Sequence, residues 1–222
     1  MNIDNQFIMT TSQKSGFKNN RKTTKMKPKS LASYRTSDRL EWDTAMNLVN
    51  RLYRKGEYKW SLLIGCGCFF GLRISDLLSL TWDMLLSSDR FVLQEKKTGK
   101  RREIKINEGF QQHIALCHDA MNPHDDRGYC FQNRYGGVMS TQWVNRELKR
   151  IREQYDIPIQ HFSSHTFRKT FGYRVFTRAG ENAELALYKL SEIFNHSNTR
   201  VTRRYLGIRR DELLTTYDML DF

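Results

Sequence analysis

Apolar positions recur with helical spacing from residue 40 onward. Leu40, Ala45, Leu48, Val49, Leu52 and Tyr53 repeat at steps compatible with one helix face, behind Ser37 as a candidate N-cap and ahead of Gly56, which interrupts them. A second and more uniformly apolar stretch over 58–70 predicts a buried helix that Gly71 ends, followed by Arg73 and the amphipathic segment ISDLLSL. RFVLQE (90–95) and RREIKI (101–106) read as two strands, and Lys97-Thr98-Gly99-Lys100 between them supplies the glycine a hairpin needs to turn. Helical spacing returns over about 108–120, 140–155, 164–179, 183–194, 199–206 and 210–220, with Val144, Leu148, Ile151 and Tyr155 on one side of the second of these. The expected fold is mainly α with a small antiparallel β-hairpin, an α+β class.

Residues 1–36 lack this periodicity. They carry eight lysines and arginines against the single acid Asp4, which predicts a flexible basic arm, either solvated or lying along phosphates. The remainder, 37–222, reads as one domain, since 222 residues cannot supply two large separate cores. A hydrophobic fraction of 39% is enough to pack an interior, and a net charge of +13 predicts a polyanionic partner, with nucleic acid foremost. A membrane surface is the weaker candidate: no run of 18 apolar residues and no signal-like segment is present, so a cytoplasmic protein is expected.

Three further chemistries are disfavoured. The four cysteines form no CxxC pair, so reduced thiols are expected rather than a disulfide framework. His113, Cys117, His118, His124 and Cys130 crowd one stretch without the paired spacing of structural zinc, and no metal or other cofactor is expected. Gly65, Gly67 and Gly71 miss the GxGxxG spacing by one place, and no strand precedes them, which argues against a nucleotide site.

Breaking a phosphodiester without a metal requires fixed cations on the nonbridging oxygens, a nucleophile, and an acid for the leaving oxygen. His165 and Arg168 lie three residues apart at the start of a helix and so share a face, but such a pair also occurs as ordinary surface decoration. Tyr205, taken alone, reads better as a half-buried helical tyrosine like Tyr155 or Tyr188. The ordered set is more specific: Gly71-Leu72-Arg73-Ile74-Ser75-Asp76-Leu77-Leu78, Lys97-Thr98-Gly99-Lys100, His165-x-x-Arg168, Asn195-His196-Ser197-Asn198 and Arg204-Tyr205-Leu206. In this order and spacing the chain resembles the tyrosine recombinases of the phage integrase family over about residues 37–222.

That resemblance implies the tyrosine recombinase catalytic-domain fold and a role for each matched residue. Arg73 and Arg168 would clamp the scissile phosphate, because a guanidinium is planar, always charged and able to donate two parallel hydrogen bonds. Lys97 would protonate the departing 5′ oxygen, with Lys96 and Lys100 as alternatives. His165 would assist proton removal from the nucleophile, and His196 would donate a hydrogen bond to the phosphate. Tyr205 would attack, with Tyr217 as fallback; a free tyrosine titrates near about 10, so it needs cationic surroundings. The 3′-phosphotyrosine preserves a phosphodiester, so rejoining needs neither ATP nor metal.

The same resemblance implies a homotetramer on two double-stranded DNA sites, nucleoid association, accessory DNA-bending proteins in some systems, and integration, excision or inversion as outcome. Asn195 stands where the family has glycine, and asparagine is the side chain that best tolerates a left-handed turn. In place of the family's helical core-binding domain the chain has its short basic arm, a layout similar to the fimbrial phase-variation invertases. Leu213, Leu214, Tyr217 and Leu220 share a face of a tail helix that would pack on a neighbouring subunit or on its own domain. Arg146, Lys149, Arg150 and Arg152 are candidate DNA contacts on another helix. A catalytically silent DNA-binding regulator and a type IB topoisomerase-like enzyme are the competing readings.

Overall fold

The computed structural model describes residues 37–208 together with Thr215 and Tyr217. The predicted basic arm (1–36) lies outside the described residues, as does most of the predicted tail helix.

Helix α1 (Trp42–Arg54) turns Ala45, Leu48, Val49 and Leu52 inward, as its spacing predicts. Its N-cap is Glu41 rather than Ser37. The reason lies in the segment ahead of it, which is tied to another helix: the Leu40 amide donates to Thr170 Oγ1 at 2.9 Å, Lys169 Nζ donates to the Ser37 carbonyl at 2.7 Å, and the Ser37 and Ser163 hydroxyls meet. With its backbone committed there, Ser37 cannot start the helix.

Helix α2 (Tyr58–Phe70) is apolar on all sides because it is buried on all sides, packed against α1 and against α5 (Glu108–Met121) and α7 (Ser164–Arg178). The glycines that fail as a nucleotide loop serve this packing. A Cβ on Gly67 would stand 2.7 Å from that of Phe167, so only glycine lets α2 and α7 approach this closely. Between α2 and α5 come α3 (Ile74–Leu77), α4 (Trp82–Leu86) and the antiparallel strands β1 (Arg90–Gln94) and β2 (Arg101–Lys105), paired from Arg90↔Lys105 to Gln94↔Arg101. Phe91, Leu93 and Ile104 bury one face of the hairpin, and Gly99 takes φ +67° beyond its turn.

Helix α6 (Thr141–Gln154) is capped by Ser140, whose hydroxyl accepts from the Trp143 amide, and buries Val144, Leu148 and Ile151. Tyr155 is its C-cap and is buried, with its hydroxyl donating to Glu57, so it is not the half-buried helical tyrosine of the sequence reading. Ser163 and Thr166 form a capping box that sets the start of α7. A 3-10 turn (Gly180–Asn182) leads to α8 (Ala183–Phe194) and α9 (Thr199–Leu206). Tyr188, on α8, is exposed.

Among the described residues the architecture is mainly α with one small antiparallel hairpin. Two apolar clusters hold it: a large one running through α1, α2, α5 and α6, and a small one of Leu187, Leu190, Phe194, Leu206 and Ile208 at α8 and α9.

Candidate active site

Two helices end beside one another, and their last carbonyls set the site. Helix α2 stops at Gly71 (φ +57°) and α8 stops at Asn195 (φ +51°), both left-handed, which leaves C-terminal carbonyls without helical partners and with partial negative charge. Guanidinium groups fill that need. Arg73 Nη2 and Arg168 Nη2 both donate to the Phe194 carbonyl, at 3.0 and 3.1 Å. Arg168 Nη1 donates to the Gly71 carbonyl, and Arg102 Nη2 to that of Phe70 at 2.6 Å. Arg168 also lies over the Phe194 ring, 4.3 Å from its centre.

Arg168 is only 3% exposed. Burial is the main cause that lowers its pKa to about 10, with Arg73 and Arg102 adding repulsion and Tyr205 and Glu95 opposing the shift, so it stays charged at neutral pH. A guanidinium carries five N–H donors, and the bonds above occupy two on Arg168. Arg73 likewise uses two, one to Phe194 and one to Glu95 Oε2 at 2.8 Å.

Tyr205 projects from α9 into this cation cluster. Its hydroxyl is buried without a hydrogen bond of normal geometry among the described residues, and the Arg168 guanidinium is its near neighbour. The ring meets Phe194 and His196 edge-on at 5.5 and 5.3 Å, and Lys169 Nζ lies 5.4 Å from its centre. Burial raises the phenol pKa above its ordinary value, against the pull of Arg168 and Arg73.

The His196 Nδ1 shares a 3.0 Å hydrogen bond with the Thr202 hydroxyl. Burial first, then Arg168 and Arg73, lowers its pKa to about 4, so the ring is neutral at pH 7. His165 stands exposed in the first turn of α7, its pKa lowered by partial desolvation against the protein, then by Arg168 and Lys169. The structure thus brings Arg73, Arg168, His196 and Tyr205 together, with His165 beside Arg168.

The hairpin lysines are arranged differently. Lys97 is exposed in the turn and makes no hydrogen bond or ion pair among the described residues. The Lys96 amide donates to Asp76 Oδ1 at 2.8 Å, and Lys100 Nζ donates to Asn195 Oδ1 at 2.7 Å. Two residues that the sequence reading passed over, Glu95 and Arg102, also face the cluster. The signal was the strand alternation, which puts Glu95 on the inward face with Phe91 and Leu93, and Arg102 with Ile104 and Ile106.

Among the described residues no group of three or more His, Cys, Asp or Glu side chains could hold a metal ion. His113 pairs with the Ser61 hydroxyl instead, and His118 with Asp126. No helix among them is long and apolar enough to cross a membrane.

The sequence profile of the phage integrase family matches residues 40–211. The chain belongs to this family. The probable integrase/recombinase YoeC of Bacillus subtilis is 32% identical over 149 residues, which cover 66% of this chain and 76% of that protein. The tyrosine recombinase XerD of Rhizobium meliloti is 23% identical over 145 residues, 64% of this chain and 45% of its own length. Among solved structures, the XerA recombinase superposes with a TM-score of 0.64 at 16% identity, covering 84% of this chain and 67% of that one. The catalytic domain of bacteriophage HP1 integrase superposes with a TM-score of 0.51 at 17% identity, covering 82% of this chain and 95% of that one. The fold shared with these integrases is the tyrosine recombinase catalytic domain. In this phage integrase family member, Asn195 takes a left-handed turn at φ +51° and ends α8 there without a glycine.

Proposed function

We propose that this chain is a site-specific DNA recombinase that cuts and rejoins double-stranded DNA through a 3′-phosphotyrosine on Tyr205. The observation that carries the reading is the buried Tyr205 hydroxyl beside two guanidiniums anchored on one carbonyl. A phosphodiester entering there receives the remaining Arg73 and Arg168 N–H donors on its nonbridging oxygens, and these stabilise the added charge of the transition state. The Tyr205 oxygen forms a bond to phosphorus as the bond from phosphorus to the 5′ oxygen breaks. The phenol proton passes to His165, which is neutral and able to accept it. With its Nδ1 engaged by Thr202, His196 offers Nε2 to the phosphate. Lys97 gives a proton to the 5′ oxygen once DNA draws the hairpin turn inward, and Lys100, held by Asn195, is the alternative donor. Attack by another 5′ hydroxyl reverses the steps.

The wider assembly follows the same reading: four copies on two DNA sites, helped by accessory bending proteins, with the basic residues 1–36 along phosphates and the protein located at the nucleoid. Integration, excision and inversion use the same chemistry and differ only in how the two sites are arranged.

The test is incubation of the purified protein, in EDTA, with labelled DNA fragments tiled from its genomic neighbourhood. A denaturation-resistant adduct that Tyr205→Phe lacks is the expected result. Binding with no adduct in either protein would replace this reading with the DNA-binding regulator.

A further inference from the structure

We propose that Glu95 is a positioning residue of the phosphate clamp, a resident counter-ion that holds Arg73 from the protein side and ties it to the turn carrying Lys97. The inference rests on the recombinase reading for its catalytic consequence, though not for its electrostatic one.

Glu95 follows β1 and is 3% exposed. Its Oε2 accepts from Arg73 Nη1 at 2.8 Å and from the Thr98 hydroxyl at 2.8 Å, while Oε1 lies 3.9 Å from Arg102 Nη1 without a hydrogen bond. A buried carboxylate is costly unless paired, and clustered guanidiniums repel unless a negative charge lies among them. Glu95 answers both needs. Arg73, Arg102 and Arg168 then stand as three positive groups beside Glu95, with the buried Asp76 also acting on Arg102, so the cluster keeps an excess of positive charge that a phosphodiester can offset.

The contacts leave room for a substrate on Arg73. The Arg73 side chain is 20% exposed and that of Glu95 4%, so the arginine is the more open of the two, and its bonds to Glu95 and Phe194 use two of its five N–H donors. The link to the turn is direct. Thr98 is the neighbour of Lys97, its hydroxyl shares the carboxylate oxygen with Arg73, and the Glu95 carbonyl accepts from the Gly99 amide at 2.8 Å. A shift of the turn is thereby felt at Arg73.

Glu95→Gln keeps the shape and one acceptor oxygen while removing the charge. Thermal melting with increasing inorganic phosphate should show a larger rise in Tm for Glu95→Gln than for wild type, since phosphate replaces the missing counter-ion. Adduct formation at saturating DNA should slow by about tenfold while DNA affinity holds or tightens, the split expected when aim rather than binding is lost. Glu95→Asp, which restores the charge, should restore the wild-type response to phosphate. A phosphate response or a saturating adduct rate equal to wild type in Glu95→Gln overturns the proposal. Where Glu95→Gln fails to fold, Thr98→Val tests the tie to the turn, and an unchanged adduct rate in that variant overturns it. A wild type that forms no adduct fails the recombinase reading instead, and the phosphate response still decides the counter-ion assignment.

Discussion

The arginine half of the site and the tyrosine half are held in different ways. Arg73 and Arg102 sit at the end of α2, the most deeply buried helix of the large apolar cluster. Tyr205 and His196 sit on α9 and the turn before it, supported by the small cluster of Leu187, Leu190, Phe194, Leu206 and Ile208. The proposed phosphate clamp is therefore set by the main core together with the Phe194 carbonyl, and the proposed nucleophile by the smaller cluster alone. Phe194 belongs to both halves: its carbonyl receives Arg73 and Arg168, and its ring meets Tyr205, His196 and Arg168.

Removing a clamp arginine should give the largest effect. Arg168→Lys keeps a charge but cannot serve the Gly71 and Phe194 carbonyls and a phosphate together, so adduct formation should fall by about 10²–10³-fold. Single-turnover adduct assays at saturating DNA measure this. A loss of less than tenfold would mean that Arg168 only supports the fold.

Next in size is a pair of core truncations that separates the halves. Leu63→Ala in the large cluster should cost about 2–5 kcal/mol, and Phe194→Ala in the small one about 3–5 kcal/mol, both read from urea denaturation. At a temperature where both variants remain folded, only Phe194→Ala should also slow adduct formation, because it removes the ring that Tyr205 and Arg168 rest on. Equal slowing in both would erase the distinction between core and satellite.

The sequence showed the halves unequally. Helical periodicity located α1, α2 and α5 to α9 because each buries a stripe or a whole surface, and the hairpin followed from Gly99 between two strand-like runs. Helix α4 escaped because it is only five residues long, too short to show a period. Arg73, Arg168, His196 and Tyr205 were legible through ordered motifs, and the structure brings them together. Glu95 and Arg102 were not read, because charged residues in strands are assumed to face solvent, and only the burial register shows that these two face inward. Ser37 misled for the opposite reason, since its local capping chemistry was overridden by a tertiary contact with α7.

A titration should separate the halves by a smaller margin. The His196 pKa is lowered to about 4 and that of His165 is lowered too, so the fold disfavours their protonated forms. As pH falls below about 6.5 the unfolded chain takes up protons that the folded chain does not, and stability declines until about pH 4, where His196 also protonates in the fold. After discounting for its partial exposure, the His196 share is about 1–2 kcal/mol. Burial pushes the Glu95 pKa up, but the Thr98 hydroxyl and Arg73 hold it below its ordinary value, so the arginine half keeps its charges through that window. Denaturation midpoints from pH 7 to 4 should therefore flatten in His196→Gln, and an unchanged slope would place the titrating group elsewhere.

The smallest expected effect tests the one hydrogen bond that, among the described residues, joins the hairpin to the tyrosine half, from Lys100 to Asn195. Asn195 holds φ +51° at the end of α8, a conformation that costs about 1–2 kcal/mol for a residue such as alanine and little for glycine. Asn195→Ala should therefore lower stability by about 1–2 kcal/mol, whereas Asn195→Gly, which relieves the backbone but deletes the same hydrogen bond, should stay within about 0.5 kcal/mol of wild type. That makes Asn195→Gly a nearly clean deletion of the tie. If its adduct formation slows at wild-type stability, the hairpin reaches the nucleophile through Lys100. If the rate holds, the halves communicate through Phe194 and the phosphate alone, and Lys100 drops out as a proton donor held in place by Asn195.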